Sequence, residues 1–154
     1  MGRSTLMKLQ DGLRGITLVG LDTAPVIYFV EANPKYEPLV SVIFQQFSTG
    51  TLRGVTSAVT LGEVLVKPLA ANDARLVTLY RNVLLRTRNL DTIAITLTAA
   101  ESAASLRARH RMLLPDSLQI ATTLEAGCQA FLTNDVRLKR VTELRVLVLD
   151  ELEL

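Results

Sequence analysis

The sequence predicts an α/β fold, a three-layer α/β/α sandwich with a central, mostly parallel sheet. Three observations carry this. Short apolar runs at Ile16–Leu21, Gly54–Ser57, Thr92–Thr96, Gln129–Leu132 and Arg145–Leu149 are rich in β-formers and too short for helices. Segments with helical spacing lie between them, and strands that alternate with helices require a parallel sheet covered on both faces. At 154 residues, 49% hydrophobic and 21% charged, the chain can close one core and is too apolar for disorder. A single domain over 1–154 is expected, with 1–15 as an N-terminal arm or short helix.

In chain order, Leu6–Leu13 reads as a short polar helix or arm. The run Ile16–Leu21 ends in Asp22, and Asp22 or Thr23 then caps a helix over Pro25–Ala32 with Pro25 in its first turn. Asn33-Pro34 breaks that helix, and Pro38 opens another over Leu39–Phe47 that Gly50 closes. The strand Gly54–Ser57 leads to a helix over Ala58–Val66, where Thr60 and Glu63 have capping-box spacing and Pro68 marks the end. Asn72 is expected to cap Asp73–Arg86, with Leu76, Leu79, Tyr80, Val83 and Leu84 on one side. After the strand Thr92–Thr96, Thr98 and Glu101 form a second capping-box pattern, opening a helix to Arg109. Pro115 sits in the first turn of Asp116–Ala126, which Gly127 ends. A strand over Gln129–Leu132, a short helical turn and a strand over Arg145–Leu149 complete the reading.

Several classes are excluded. No run reaches the ~18 apolar residues a membrane span needs, and the start MGRSTLMKLQDGLRG has no apolar signal region. The single cysteine, Cys128, cannot form an internal disulfide and reads as a small core residue, compatible with a reducing cytoplasm. Net charge is +2 and the basic residues cluster: Arg81, Arg86 and Arg88; Arg107, Arg109, His110 and Arg111; Arg137, Lys139 and Arg140. Such clusters are either solvated faces or phosphate-contacting surfaces. His110, amid arginines, reads as a surface residue.

Four acids stand at strand exits or helix starts. Asp22 ends the first strand, Asp135 lies just beyond Phe131-Leu132, Glu63 falls in the first turns after Gly54–Ser57, and Asp116 opens its helix. In an open parallel sheet this is the carboxyl edge where ligands bind. Converging carboxylates raise one another's pKa or require a counter-ion. An all-oxygen set with no matching His or Cys suits Mg²⁺ or Mn²⁺, and such a site can serve phosphodiester cleavage. Each acid alone also has a structural reading: Asp22 as an N-cap, Glu63 as a capping-box acid, Asp116 as a complement to the helix dipole, Asp135 as a turn residue.

The motifs Leu21-Asp22-Thr23, Thr60-Leu61-Gly62-Glu63, Leu114–Ala121 (LPDSLQIA) and Phe131–Asp135 (FLTND) resemble, in order, the acidic motifs of PIN-domain ribonucleases. The similarity is greatest to VapC-like toxins of bacterial toxin–antitoxin pairs and covers about Gly15 to Leu149. The resemblance implies an α/β/α sandwich with a Mg²⁺ or Mn²⁺ site that cleaves RNA. It implies Asp22 and Asp116 as direct metal ligands, Asp135 as a ligand directly or through water, and Glu63 through water or orienting the attacking water. Thr133 would hold Asp22 or a water on the ion, with Thr23 in support, and Arg107, Arg109, Arg111, Arg137 and Lys139 would contact RNA. A homodimer and a small antitoxin inserting a segment into the acidic groove are also implied. The chain departs at Ser117, where many relatives carry Ala, and at Ala24, where Asn or Ser is frequent.

Two other functions fit less of the sequence. A PIN-like scaffold that binds RNA or protein without cleavage draws on Ala24 alone. An aspartyl-nucleophile phosphatase of the haloacid-dehalogenase pattern needs a second aspartate where Ala24 stands.

Overall fold

The computed structural model describes residues 5–154; residues 1–4 of the expected arm lie outside it. The elements are β1 Met7–Lys8, α1 Leu9–Gly12, β2 Leu18–Leu21, α2 Thr23–Val30, α3 Glu37–Thr49, β3 Arg53–Ser57 and α4 Ala58–Ala70. They continue with α5 Ala74–Arg86, β4 Leu90–Ile93, α6 Leu97–His110, α7 Leu114–Glu125 and β5 Ala130–Thr133. A 3-10 turn at Val136–Arg140, β6 Arg145–Val148, a second 3-10 turn at Leu149–Glu151 and β7 Leu152–Glu153 close the chain.

Five strands form one sheet in the order β4-β3-β2-β5-β6, parallel at every pairing. A small parallel pair, β1 with β7, ties the two ends of the described chain together. Strand alternation sorts the layers. Val19, Leu21, Ala130 and Leu132 face a core shared with α2, α3, α4 and α5 through Val26, Ile43, Phe47, Val64 and Leu84. Phe131 points the other way, into a core with Ala103 and Leu106 of α6 and Ile120 of α7. The sheet is thus covered on both faces by aliphatic helices, the expected three layers.

Two glycines set helix–sheet distances. A Cβ on Gly20 would collide with the Thr123 side chain, so α7 packs closely over β2. A Cβ on Gly54 would lie 2.5 Å from the Phe47 ring, so α3 does the same over β3.

Four local expectations are corrected. Helix α4 is capped by Ser57, whose Oγ accepts from Val59 N–H, so Thr60 lies inside the helix and is fully buried. Pro68 sits within α4, which continues to Ala70. Asp73, not Asn72, caps α5, accepting from Leu76 N–H. Thr96, not Thr98, caps α6, accepting from Ala99 N–H. In each case of a misplaced cap, the true cap is an oxygen-bearing residue upstream or downstream that also satisfies N2 or N3.

Candidate active site

The site is assembled at the carboxyl edge of the sheet. Strands β2 and β5 are neighbours, and the chain leaves β2 toward β3 but β5 toward β6, in opposite directions, so a crevice opens beyond their ends. Asp22 is the first residue past β2 and the N-cap of α2. Its Oδ1 accepts from the Thr23 backbone N–H at 2.8 Å, and its Oδ2 accepts from Thr133 Oγ1 at 2.7 Å. Thr133 ends β5, is fully buried, and also accepts from Asp135 N–H at 3.0 Å through the same hydroxyl oxygen. One hydroxyl therefore orients two of the acids.

Glu63 stands exposed on α4 and accepts from Thr23 Oγ1 at 3.1 Å. Asp116 lies in the first turn of α7, where the following Ser117 is buried and donates to the Leu113 and Leu114 carbonyls. The Ser117 hydroxyl is thus satisfied by backbone.

Charge links the four acids. Burial pushes the Asp116 carboxyl up to about 6, and the nearby charges of Asp22, Asp135 and Glu63 add to the rise, with Arg137 opposing it. Asp22 is also raised, chiefly by burial and further by Asp135, against the lowering effect of its bonds to Thr133 and Thr23. Asp135 is lowered instead, because Arg137 forms a two-pronged ion pair with it, Nη2 to Oδ2 at 2.7 Å and Nε to Oδ1 at 3.0 Å. As the side chains stand, no three His, Cys, Asp or Glu groups among the described residues are drawn tightly enough together to ligate one ion. The donor chemistry nevertheless fits an oxygen-liganded divalent cation. Two carboxyls, Asp22 and Asp116, are raised by burial and by their acidic neighbours, and the nearby cation Arg137 is engaged with Asp135.

The expected basic residues separate into two groups. Arg111 and Arg137, with Arg140, line a cleft of about 50 Å³ whose other walls include Asp116 and Asp135. Arg107 donates to the Met112 carbonyl, Arg109 and His110 both engage Glu143, and Lys139 pairs with Glu151.

Residues that the sequence reading passed over also belong here. Gln119 and Thr60 are buried next to Thr23, Gln119 Nε2 donating to Thr60 Oγ1 at 2.5 Å and to Thr23 Oγ1 at 3.3 Å. A glutamine amid the apolar positions of α7 was the available signal.

Comparison with known proteins places the fold. Among curated protein sequences none matches the chain. Solved structures do: VapBC2 from Rickettsia felis bound to a promoter DNA fragment (14% identity, TM-score 0.67, covering 85% of this chain and 98% of that one). DNA-bound VapBC from Salmonella typhimurium matches at 18% identity and TM-score 0.62, over 87% of this chain and 99% of that one. The Mycobacterium tuberculosis VapC20 toxin, described as cleaving the sarcin-ricin loop, matches at 17% identity and TM-score 0.58, over 73% and 86%. The family model described as PIN domain matches residues 19–144, which takes in most of β2, runs to the residue before β6 and includes all four acids, and the chain accordingly belongs to the PIN-domain family.

Proposed function

We propose that this protein is a metal-dependent endoribonuclease, the toxin of a toxin–antitoxin pair, acting in the cytoplasm. The observation that carries this reading is the convergence of four acids from separate segments: Thr133 binds both Asp22 and Asp135, Thr23 reaches from beside Asp22 to Glu63, and Asp116 shares a cleft with Asp135. A divalent ion, Mg²⁺ or Mn²⁺, would neutralise these acids and polarise both a phosphodiester and its attacking water. Asp22 and Asp116 are assigned as direct ligands and Asp135 as a ligand directly or through water. Glu63 reaches the ion through water or orients the attacking water. Thr133 keeps Asp22 turned toward the crevice, and Thr23 holds Glu63. Arg111 and Arg137 are placed to receive the phosphates that flank the cleaved bond. Arg107, Arg109 and Lys139 are assigned to RNA farther along the surface.

The fold neighbours are described as VapBC or toxin–antitoxin complexes, which supports a small antitoxin as partner; a homodimeric toxin belongs to the same proposal. Among the described residues no helix is long and apolar enough to cross a membrane. The test is purified protein with total RNA, Mg²⁺ or Mn²⁺, and a chelator control. Cleavage is expected with either ion, and none with chelator, Asp22→Asn or Asp116→Asn. Cleavage that survives unchanged in both variants rejects the assignment.

One observation favours a non-cleaving PIN scaffold: the Arg137–Asp135 pair already neutralises one acid without an ion. Such a scaffold binds RNA equally with chelator present and leaves it intact, which the same experiment reads.

A further inference from the structure

Gln119 lies one helical turn after Asp116 on α7 and is 2% exposed. An amide at such a depth is costly unless every hydrogen-bonding group is used. Here every group is used, and the direction of each bond can be worked out. Ser57 Oγ accepts from Val59 N–H, and among the described residues the acceptor within reach of its buried hydroxyl hydrogen is Gln119 Oε1, with which it is in contact. That fixes the amide: Nε2 faces Thr60 Oγ1 and Thr23 Oγ1, donating to both, and lies close enough to Asp22 to favour its ionised form as well. Thr23 Oγ1 therefore accepts from Gln119, and its own hydrogen goes to a remaining acceptor. Thr60 Oγ1 and Glu63 Oε1 both lie at 3.1 Å, and the carboxylate is the stronger acceptor.

We propose that Gln119 is a positioning residue for the acidic site, acting through Thr23 on Glu63. The bonds run one way, from the cap of α4 through Gln119 on α7 to Thr23 on α2, and back to Glu63 on α4. They lock the helix that carries Asp116 to the residue beside Asp22 and to Glu63 itself. The amide orientation decides that Thr23 donates to Glu63 and so holds that carboxylate over the crevice. Its consequence for cleavage rests on the nuclease reading above; its consequence for the placement of Glu63 does not.

The test is a double-mutant cycle in the full chain with Gln119→Met, which keeps volume and removes the amide, and Glu63→Gln. Mn²⁺ affinity is measured by calorimetry, and kcat and KM on RNA are measured separately. Gln119→Met is expected to lower Mn²⁺ affinity and kcat each about tenfold, the usual effect of losing a supporting bond behind a ligand, with KM unchanged. In the Glu63→Gln background most of that loss is expected to disappear, the remainder being the direct effect of the amide on Asp22. Full affinity and kcat in Gln119→Met, or losses that multiply in the double variant, overturn the proposal, since a glutamine that merely fills the core has no reason to act through Glu63. If Gln119→Met does not fold, Thr23→Val cuts the same link from a partly exposed position and runs the same cycle. A wild type that binds Mn²⁺ but cleaves no RNA overturns the nuclease reading alone, and the affinity cycle still decides the role of Gln119. A wild type that binds no Mn²⁺ overturns both.

Discussion

Asp116 and Asp135 carry the same functional group and titrate in opposite directions. Burial and three like charges raise the first to about 6, whereas Arg137 lowers the second. For Asp116 the folded chain holds its proton at higher pH than the unfolded chain, whose carboxyl titrates near 3.8. Stability from this group therefore falls as pH rises from the unfolded value to about 6, and the penalty is complete above that. With chelator present, Asp116→Asn is expected to stabilise the protein at pH 7 by about 1 kcal/mol after discounting for solvent screening, and by nothing at pH 3.5. Chemical denaturation at the two pH values measures this. Thr133 donates to Asp22 and holds its carboxyl down against burial. Thr133→Val is thus expected to move the acidic limb of the cleavage–pH profile to higher pH, because Asp22 must be ionised to hold a cation. Asp22 and Asp135 stood out in the sequence because each follows an apolar strand, whereas Thr133 came only from the family resemblance and Glu63 had the same local pattern as Glu101. Gln119 was not legible, since its partners Ser57, Thr60 and Thr23 are distant in sequence and nothing in its own helix announces them.

At the scale of elements, type and order were legible and ends were not. Strand β2 starts two residues after its apolar run begins, and β4 is displaced, Leu90–Ile93 where Thr92–Thr96 was expected, because Thr96 is the N-cap of α6 and Leu90 pairs with Gly54. The caps at Ser57 and Thr96 escaped notice because both residues close apolar strand-like stretches, leaving Thr60 and Thr98 as the more obvious hydroxyls. Pro68 is tolerated inside α4 near its end, where little helix remains to be disrupted. The close packing of α7 on β2 was also invisible in sequence, yet it sets how near Asp116 comes to Asp22. Gly20→Ala is expected to destabilise the fold by about 2 kcal/mol through overpacking against Thr123, whose branched side chain has little rotamer freedom. The same substitution is expected to reduce RNA cleavage more than stability at assay temperature explains, because α7 must move outward. Urea denaturation alongside initial rates separates the two effects, and an unchanged rate with full folding contradicts this role for the helix spacing.

For the whole molecule, strand–helix alternation was enough to predict a parallel sheet in three layers, and the family match agrees with it. The strand order was not written in the sequence. It sets β2 beside β5 with the chain leaving the two in opposite directions, and it is what turns strand ends far apart in the chain into one crevice. Asp22 and Asp135 arrive there from adjacent strands, while Glu63 and Asp116 arrive on helices from opposite layers of the sandwich. Four like charges at one sheet edge make sense energetically when a cation joins them. Calorimetric titration of Mn²⁺ into the wild type, Asp22→Asn and Asp116→Asn tests this most directly. Saturable binding to the wild type that weakens by about tenfold or more in each variant is the predicted result. Equal affinity in all three, or none in any, would contradict it.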